Sequence, residues 1–348
     1  MNKKLRAYLQ YVFFIALAAF FVWLSLHKIN AEKWVKLKEA IVHARLWIFF
    51  PVLFLLLLSH WLRALRWKML IEPLGYRPSS LNTFFGVMVG YLVNLGAPRL
   101  GEIIKCTVLA RYEKIRADKL VGTIVAERAF DLISLVIVFA ITLAIEFKTI
   151  GAWTSDWMGS VFKSNEGKFS PIRLTIFIAI LLIAIFALRI LFTRFLHINF
   201  VQQIKVILKG IWHGLTSIRL VRNKMLFLFY TIGIWALYVV STLIGFYGLL
   251  QTSNLGIGAA FSALIMGSIG MIFSPGGIGA YPWFIQQTVL LYGIAEEPYG
   301  QALGWLLWLG QFIIFVVFGA LSFILLPTFN KKKHAEAGDN REKDIQVG

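Results

Sequence analysis

Residues 94–105 read NLGAPRLGEIIK. An apolar run that begins near residue 81 ends here at Gly96-Ala97-Pro98, and Arg99, Glu102 and Lys105 follow at once. Proline has no amide proton and restricts the residue before it, so a helix stops at this point. As helix, residues 81–97 span about 25 Å, against a hydrocarbon core of about 30 Å. The break and the charges therefore fall at membrane depth. A second stretch has the same design: residues 257–273 run to Ser274-Pro275-Gly276-Gly277. Each run is followed by another short helical stretch, about 100–113 and 280–294. Two short helices meeting at a Pro/Gly break describe a re-entrant hairpin, whose bare backbone must face protein or a wet cavity.

The whole chain supports a membrane setting. Of its 348 residues, 59% are hydrophobic and 15% charged, and the mean hydropathy is +0.74, more apolar surface than a soluble domain of this length can bury. Full spans are predicted at about 7–26, 46–65, 120–146, 171–193, 225–250 and 301–327. The first follows MNKKLR and is too long for a signal-peptide core, with no A-x-A site after it, so it reads as a retained span. The expected fold is an all-α polytopic integral membrane protein with about six full spans and two re-entrant helical hairpins.

The net charge of +18 does not indicate nucleic acid, because Lys and Arg lie in the short segments between apolar runs. Segments 63–80, 111–119, 194–224 and 331–343 are basic, which predicts cytoplasmic N- and C-termini in a bacterial-type inner membrane. Residues 28–45, with four lysines and one arginine, run against this pattern. In this orientation the two hairpins enter from opposite sides. Aligning Pro98 with Pro275 places Phe84 on Phe261 and Gly90 on Gly267. Each half, about 1–150 and 171–330, reads span, span, hairpin, span, an inverted repeat within one transmembrane domain of residues 1–330. Residues 197–224 form an amphipathic stripe at steps of three and four, either an interfacial helix on anionic lipid or a linker helix under the bundle. Residues 331–348 are polar and predicted to be disordered.

Charges inside the spans mark the candidate site. Glu127, Arg128 and Asp131 lie about 11–17 Å into their span, where each lone charge costs about 2.5–3.5 kcal/mol on insertion scales. Thr123, Glu127, Asp131 and Ser134 share one helical face, which must look inward. At the first hairpin tip, Asn94, Arg99, Glu102 and Lys105 accompany a helix N-terminus, whose free amides and dipole suit an anion such as phosphate. At the second tip, Gly276, Gly277 and Gly279 allow close backbone approach to a ligand or to another helix. A buried ion network that only locks helices together would account for the same charges. The single cysteine, Cys106, excludes an internal disulfide and a thiolate metal cluster, and no cofactor or metal is expected.

These residues resemble the lysylphosphatidylglycerol synthase transmembrane, or flippase-like, family. The likeness is carried by Asn94, Pro98, Arg99, Gly101 and Glu102; by Glu127-Arg128-x-x-Asp131; by the basic Arg63-Ala-Leu-Arg66-Trp67; and by Pro275-Gly-Gly-Ile-Gly279. It covers about residues 45–327. The first pattern is met only in part, since Arg99 directly follows the proline. The second tip departs too, with Ala280-Tyr281-Pro282-Trp283 where relatives carry a glutamate, and this puts the headgroup in doubt. The resemblance implies translocation of a lipid or lipid-linked substrate by a stand-alone form without the aminoacyl-transferase domain. Its partners would be a membrane lipid and the bilayer, with homo-oligomerisation left open. No Walker A, H-E-x-x-H or G-x-S-x-G motif occurs, so the expected protein is not an enzyme. A lipid-phosphate transferase and an accessory membrane protein stand as alternatives.

Overall fold

The computed structural model describes residues 3–27, 29–97, 99–149, 218–294 and 297–347, with scattered positions between 151 and 186. The described elements are helices: α1 (Lys3–Leu26), α2 (Ala31–Val42), α3 (Phe49–Ile71), α4 (Ser80–Gly96), α5 (Leu100–Glu113), α6 (Ala117–Ile145), α7 (Lys224–Phe246), α8 (Ile257–Phe273), α9 (Ala280–Leu290) and α10 (Glu297–Val347). Four segments are long and apolar enough to cross a membrane: Leu46–Leu74, Ala117–Ile145, Lys224–Phe246 and Pro298–Lys331. A fifth candidate is α1 with α2, bent by 98° between them. The fourth expected span, 171–193, apart from scattered positions, and most of the amphipathic stripe, 197–224, lie outside the described residues. Phe50, Phe54, Val136, Phe229, Phe323 and Ile324 stand exposed on the long helices, as lipid-facing side chains do.

Two boundaries differ from the sequence reading. Helix α3 runs to Ile71, so Arg63 and Arg66 lie inside it and not in a loop beyond it. The apolar periodicity carries on through Trp67, Leu70 and Ile71, all buried, and holds the helix together past its first charges. Helix α10 continues to Val347, so the polar tail predicted to be disordered is helical, in keeping with its Lys, Glu and Ala content. The lysine-rich stretch near the N-terminus also finds its place. Asn30 caps α2 by accepting from the Lys33 amide, and Leu37 and Ala40 pack into the core while Lys38 stays outside. This is an amphipathic helix bent by 98° from α1, so its lysines sit on a helix face and not in a loop.

Both pairs of short helices fold back on themselves as helical hairpins. In the first, Gly86 faces Lys105, Gly90 faces Gly101, and the Gly101 amide donates to Asn94 Oδ1 at 2.9 Å. Each step forward along α4 meets a step back along α5, so the two helices are antiparallel. A Cβ on Gly101 would lie 2.0 Å from the Gly90 carbonyl oxygen, which is why this crossing needs glycine. In the second hairpin, Ser262 on α8 bonds Tyr292 beyond α9, and Gly270 lies against Ala280 and Tyr281.

The two hairpins approach from opposite ends of the bundle. At the base of the first, Glu113 accepts from the Ser79 amide and Asn82, and Asn82 exchanges amide bonds with Asn330 near the end of the apolar part of α10. Helix α6 leaves this same base. At its far end, about 43 Å away along 29 residues, Glu146 sits against Gly258 at the base of the second hairpin. Their tips meet between these ends. Gly276, at φ 59°, packs on Leu95, and its carbonyl accepts from Trp308 Nε1 at 2.7 Å. The packing also exchanges partners between halves: α4 lies on α10, and α8 lies on α6.

The glycine crossing makes a direct prediction. Gly101→Ala must push α4 and α5 apart and lowers stability by about 1–3 kcal/mol. Gly122→Ala, where a Cβ meets open space, leaves it unchanged or slightly raised. Thermal unfolding of both variants in detergent measures the difference.

Candidate functional site

Helices α3, α5 and α6 converge on seven charged side chains. From α6, Thr123, Glu127 and Asp131 point inward at steps of four, and Thr123 accepts from Trp67 Nε1 at 2.8 Å. Ser134 lies three residues on and leaves the cluster, donating to its own helix at Phe130. From α5, Lys105 reaches Glu127 at 2.8 Å and Glu102 at 3.3 Å, with its ammonium 4.7 Å from the Trp67 ring centroid. From α3, Arg63 and Arg66 each bond one oxygen of Asp131, and Arg63 also lies 3.4 Å from Glu127. Arg128 stands at the edge, 3.4 Å from both Glu102 and Glu127 and 3.8 Å from Asp131.

The electrostatics follow from this arrangement. Glu127 is fully buried, and so is Arg66. In a medium that poorly solvates charge, such groups persist only when paired and hydrogen-bonded. The pairing is nevertheless uneven, with four cations facing three carboxylates among the described residues. Among the described residues, Arg63 Nε, Arg66 Nε, Arg66 Nη1 and Glu102 Oε2 are buried without a hydrogen-bond partner.

A cavity of about 370 Å³ adjoins this cluster. Arg63, Arg128 and Asp131 form its floor, and His60, Tyr91, Trp235, Tyr238 and Gln311 stand on its walls. His60 packs against the stacked rings of Tyr91 and Phe315, at 4.9 and 5.5 Å. Its Nδ1 and the Trp235 Nε1 are buried without a partner among the described residues. Gln311 and Tyr281 line the same cavity. On the other side of Arg128 and Tyr91 lies a void of about 10 Å³, lined by Asn94, Gly101, Glu102 and Lys105. Arg128 and Tyr91 thus form the partition between the cavity and the first hairpin.

The residues singled out from sequence separate into three groups. Glu102, Lys105, Glu127, Arg128 and Asp131 come together. Asn94 does not face the cavity; its side chain is spent on the Gly101 amide, and the Leu100 amide bonds Ala97. Two of the amides expected to hold an anion at this tip are therefore already satisfied. Arg99 adopts φ 69°, is exposed, and makes no hydrogen bond or ion pair among the described residues. The three glycines of the second tip serve packing: Gly276 against Leu95, Gly277 against Met271, and Gly279 against Val22 of α1. Sequence reading missed Arg63, Arg66, His60, Tyr91 and Trp235. The signal for the first three was present, since residues 60, 63 and 66 recur at steps of three on one face of a helix whose apolar pattern runs on to Ile71.

The family profile described as "Lysylphosphatidylglycerol synthase TM region" matches residues 11–303, most of the chain. No curated protein and no solved structure matches significantly.

Proposed function

The chain belongs to the lysylphosphatidylglycerol synthase TM-region family, and from that membership we propose that this integral membrane protein translocates a lipid or lipid-linked substrate between leaflets. The headgroup enters the mid-depth cavity while the acyl chains stay in the bilayer. Both hairpins are re-entrant, and the halves form an inverted repeat in which α3, α4, α5 and α6 correspond to α7, α8, α9 and α10. The swapped packing of α4 on α10 and α8 on α6 supports this correspondence. Architectures of this kind place substrate where the repeats meet and alternate access by rocking one against the other.

The observation that carries the reading is the placement of a seven-charge cluster on the floor of a cavity beside two touching hairpin tips. Ionisable groups at such depth are rare and line substrate paths. A polar chamber there offers a headgroup what lipid cannot, namely hydrogen bonds and countercharge. The basic segments that flank the first hairpin base, around Arg77, Arg111, Lys114 and Arg116, support a cytoplasmic placement of that base. The reading requires no covalent chemistry, so turnover in detergent should release no new lipid product.

The test is reconstitution of the full chain into vesicles containing tail-labelled phospholipids, scored for exchange between leaflets. Wild type accelerates exchange over protein-free vesicles, and Asp131→Asn, which leaves Arg63 and Arg66 without their shared carboxylate, abolishes it. Failure of wild type to exchange any of several headgroups would sink the reading.

A further inference from the structure

We infer that the cavity selects a lipid whose headgroup is a singly anionic phosphate bearing hydroxyls and no ammonium group. This inference rests on the translocation reading and names the substrate class of that same site.

The carboxylates decide it. A cationic headgroup needs a carboxylate free to receive it, and the cavity wall offers none. Asp131 is the carboxylate on that wall among the described residues, and each of its oxygens is bonded to an arginine. Glu127 is fully buried behind it and held by Lys105 and Arg63. Glu102 faces the small void beyond Arg128, paired with Lys105 and Arg128.

What faces the cavity is instead an excess cation and polar groups able to donate. Four cations oppose three carboxylates, leaving one positive charge uncompensated. Arg128 carries that excess to the cavity, with its side chain 45% exposed and its partners at 3.4–3.8 Å. His60 is 4% exposed and has Nδ1 unpartnered, and Trp235 presents an unpartnered indole N–H. Indole can only donate, and His60 donates from Nδ1 in the tautomer that carries its proton there. A phosphodiester supplies acceptors to these groups and one negative charge to the excess. An ammonium supplies more donors and a like charge, to a site where low dielectric magnifies repulsion. Hydroxyls fit beside Ser241, Thr242 and Gln311 on the cavity wall.

The experiment compares tail-labelled phosphatidylglycerol and lysyl-phosphatidylglycerol of equal chain length, with the full chain in vesicles. Phosphatidylglycerol exchanges at least tenfold faster; equal rates or the reverse order overturn the inference. Arg128→Gln removes the excess charge and narrows the ratio, and Arg128→Glu reverses it; an unchanged ratio in folded variants also overturns the inference. If wild type exchanges neither lipid, the translocation reading falls while the headgroup inference is still decided by binding in detergent. There, short-chain phosphatidylglycerol quenches tryptophan fluorescence with at least tenfold higher affinity than its lysyl ester, and equal affinities refute the preference. Free glycerol phosphate serves as the other arm: saturation at the same concentration as the lipid would show a soluble-phosphate site and overturn the lipid assignment.

Discussion

Glu127→Gln lowers the stability of the detergent-solubilised protein by about 3–5 kcal/mol, the usual cost of removing one partner from a buried ion pair. The substitution keeps the side chain's volume and one acceptor, so its effect isolates the charge. Glu127 is fully buried and lies 2.8 Å from Lys105, which is itself 4% exposed. Without that carboxylate Lys105 retains only Glu102 at 3.3 Å and the face of Trp67. The local excess rises from one positive charge to two. The double variant Glu127→Gln, Lys105→Met returns it to one, with three cations facing two carboxylates, and recovers more than half of the loss. Thermal unfolding of the four proteins of this cycle measures the coupling directly. A single variant as stable as wild type would show that the network contributes nothing to holding α3, α5 and α6 together.

That cluster shows how far the sequence can be read. The Pro/Gly breaks at 96–98 and 274–277 announced both hairpins, because helix termination is a local property of the backbone. The carboxylate face of α6 was equally plain, since Glu127 and Asp131 are one turn apart in an otherwise apolar segment. Their partners were harder to see. Arg63 and Arg66 follow a long apolar run, and a charge at the end of such a run reads as the start of a loop. Only packing on α4 and α6 shows that the helix continues for two more turns. The glycines of the second tip were ambiguous for a related reason. A left-handed glycine serves a ligand or a neighbouring helix equally well, and the choice of Leu95, Met271 and Val22 is made by distant parts of the chain. Arg99 lay at the right place in the sequence for a phosphate ligand, yet the three-dimensional excess of charge is delivered to the cavity by Arg128.

Arg128 adjoins Glu127 in the sequence, but its replacement should have the opposite phenotype. Arg128→Ala lowers stability far less than Glu127→Gln does, because the partners of Arg128 lie at 3.4–3.8 Å and each of them keeps another cation. Glu102 keeps Lys105 at 3.3 Å, and Asp131 keeps both Arg63 and Arg66, so no carboxylate is left without a partner. The cavity, however, loses its uncompensated charge and part of its partition toward the first hairpin. Leaflet exchange of an anionic phospholipid therefore falls at least tenfold in Arg128→Ala vesicles, and Arg128→Lys recovers it only in part, since an ammonium cannot bridge three carboxylates as a planar guanidinium does. Measuring unfolding and exchange on the same preparation separates the two roles. A large loss of stability would make Arg128 another structural member of the network. Undiminished exchange would remove it from the substrate path, and with it the link between the excess charge and the headgroup.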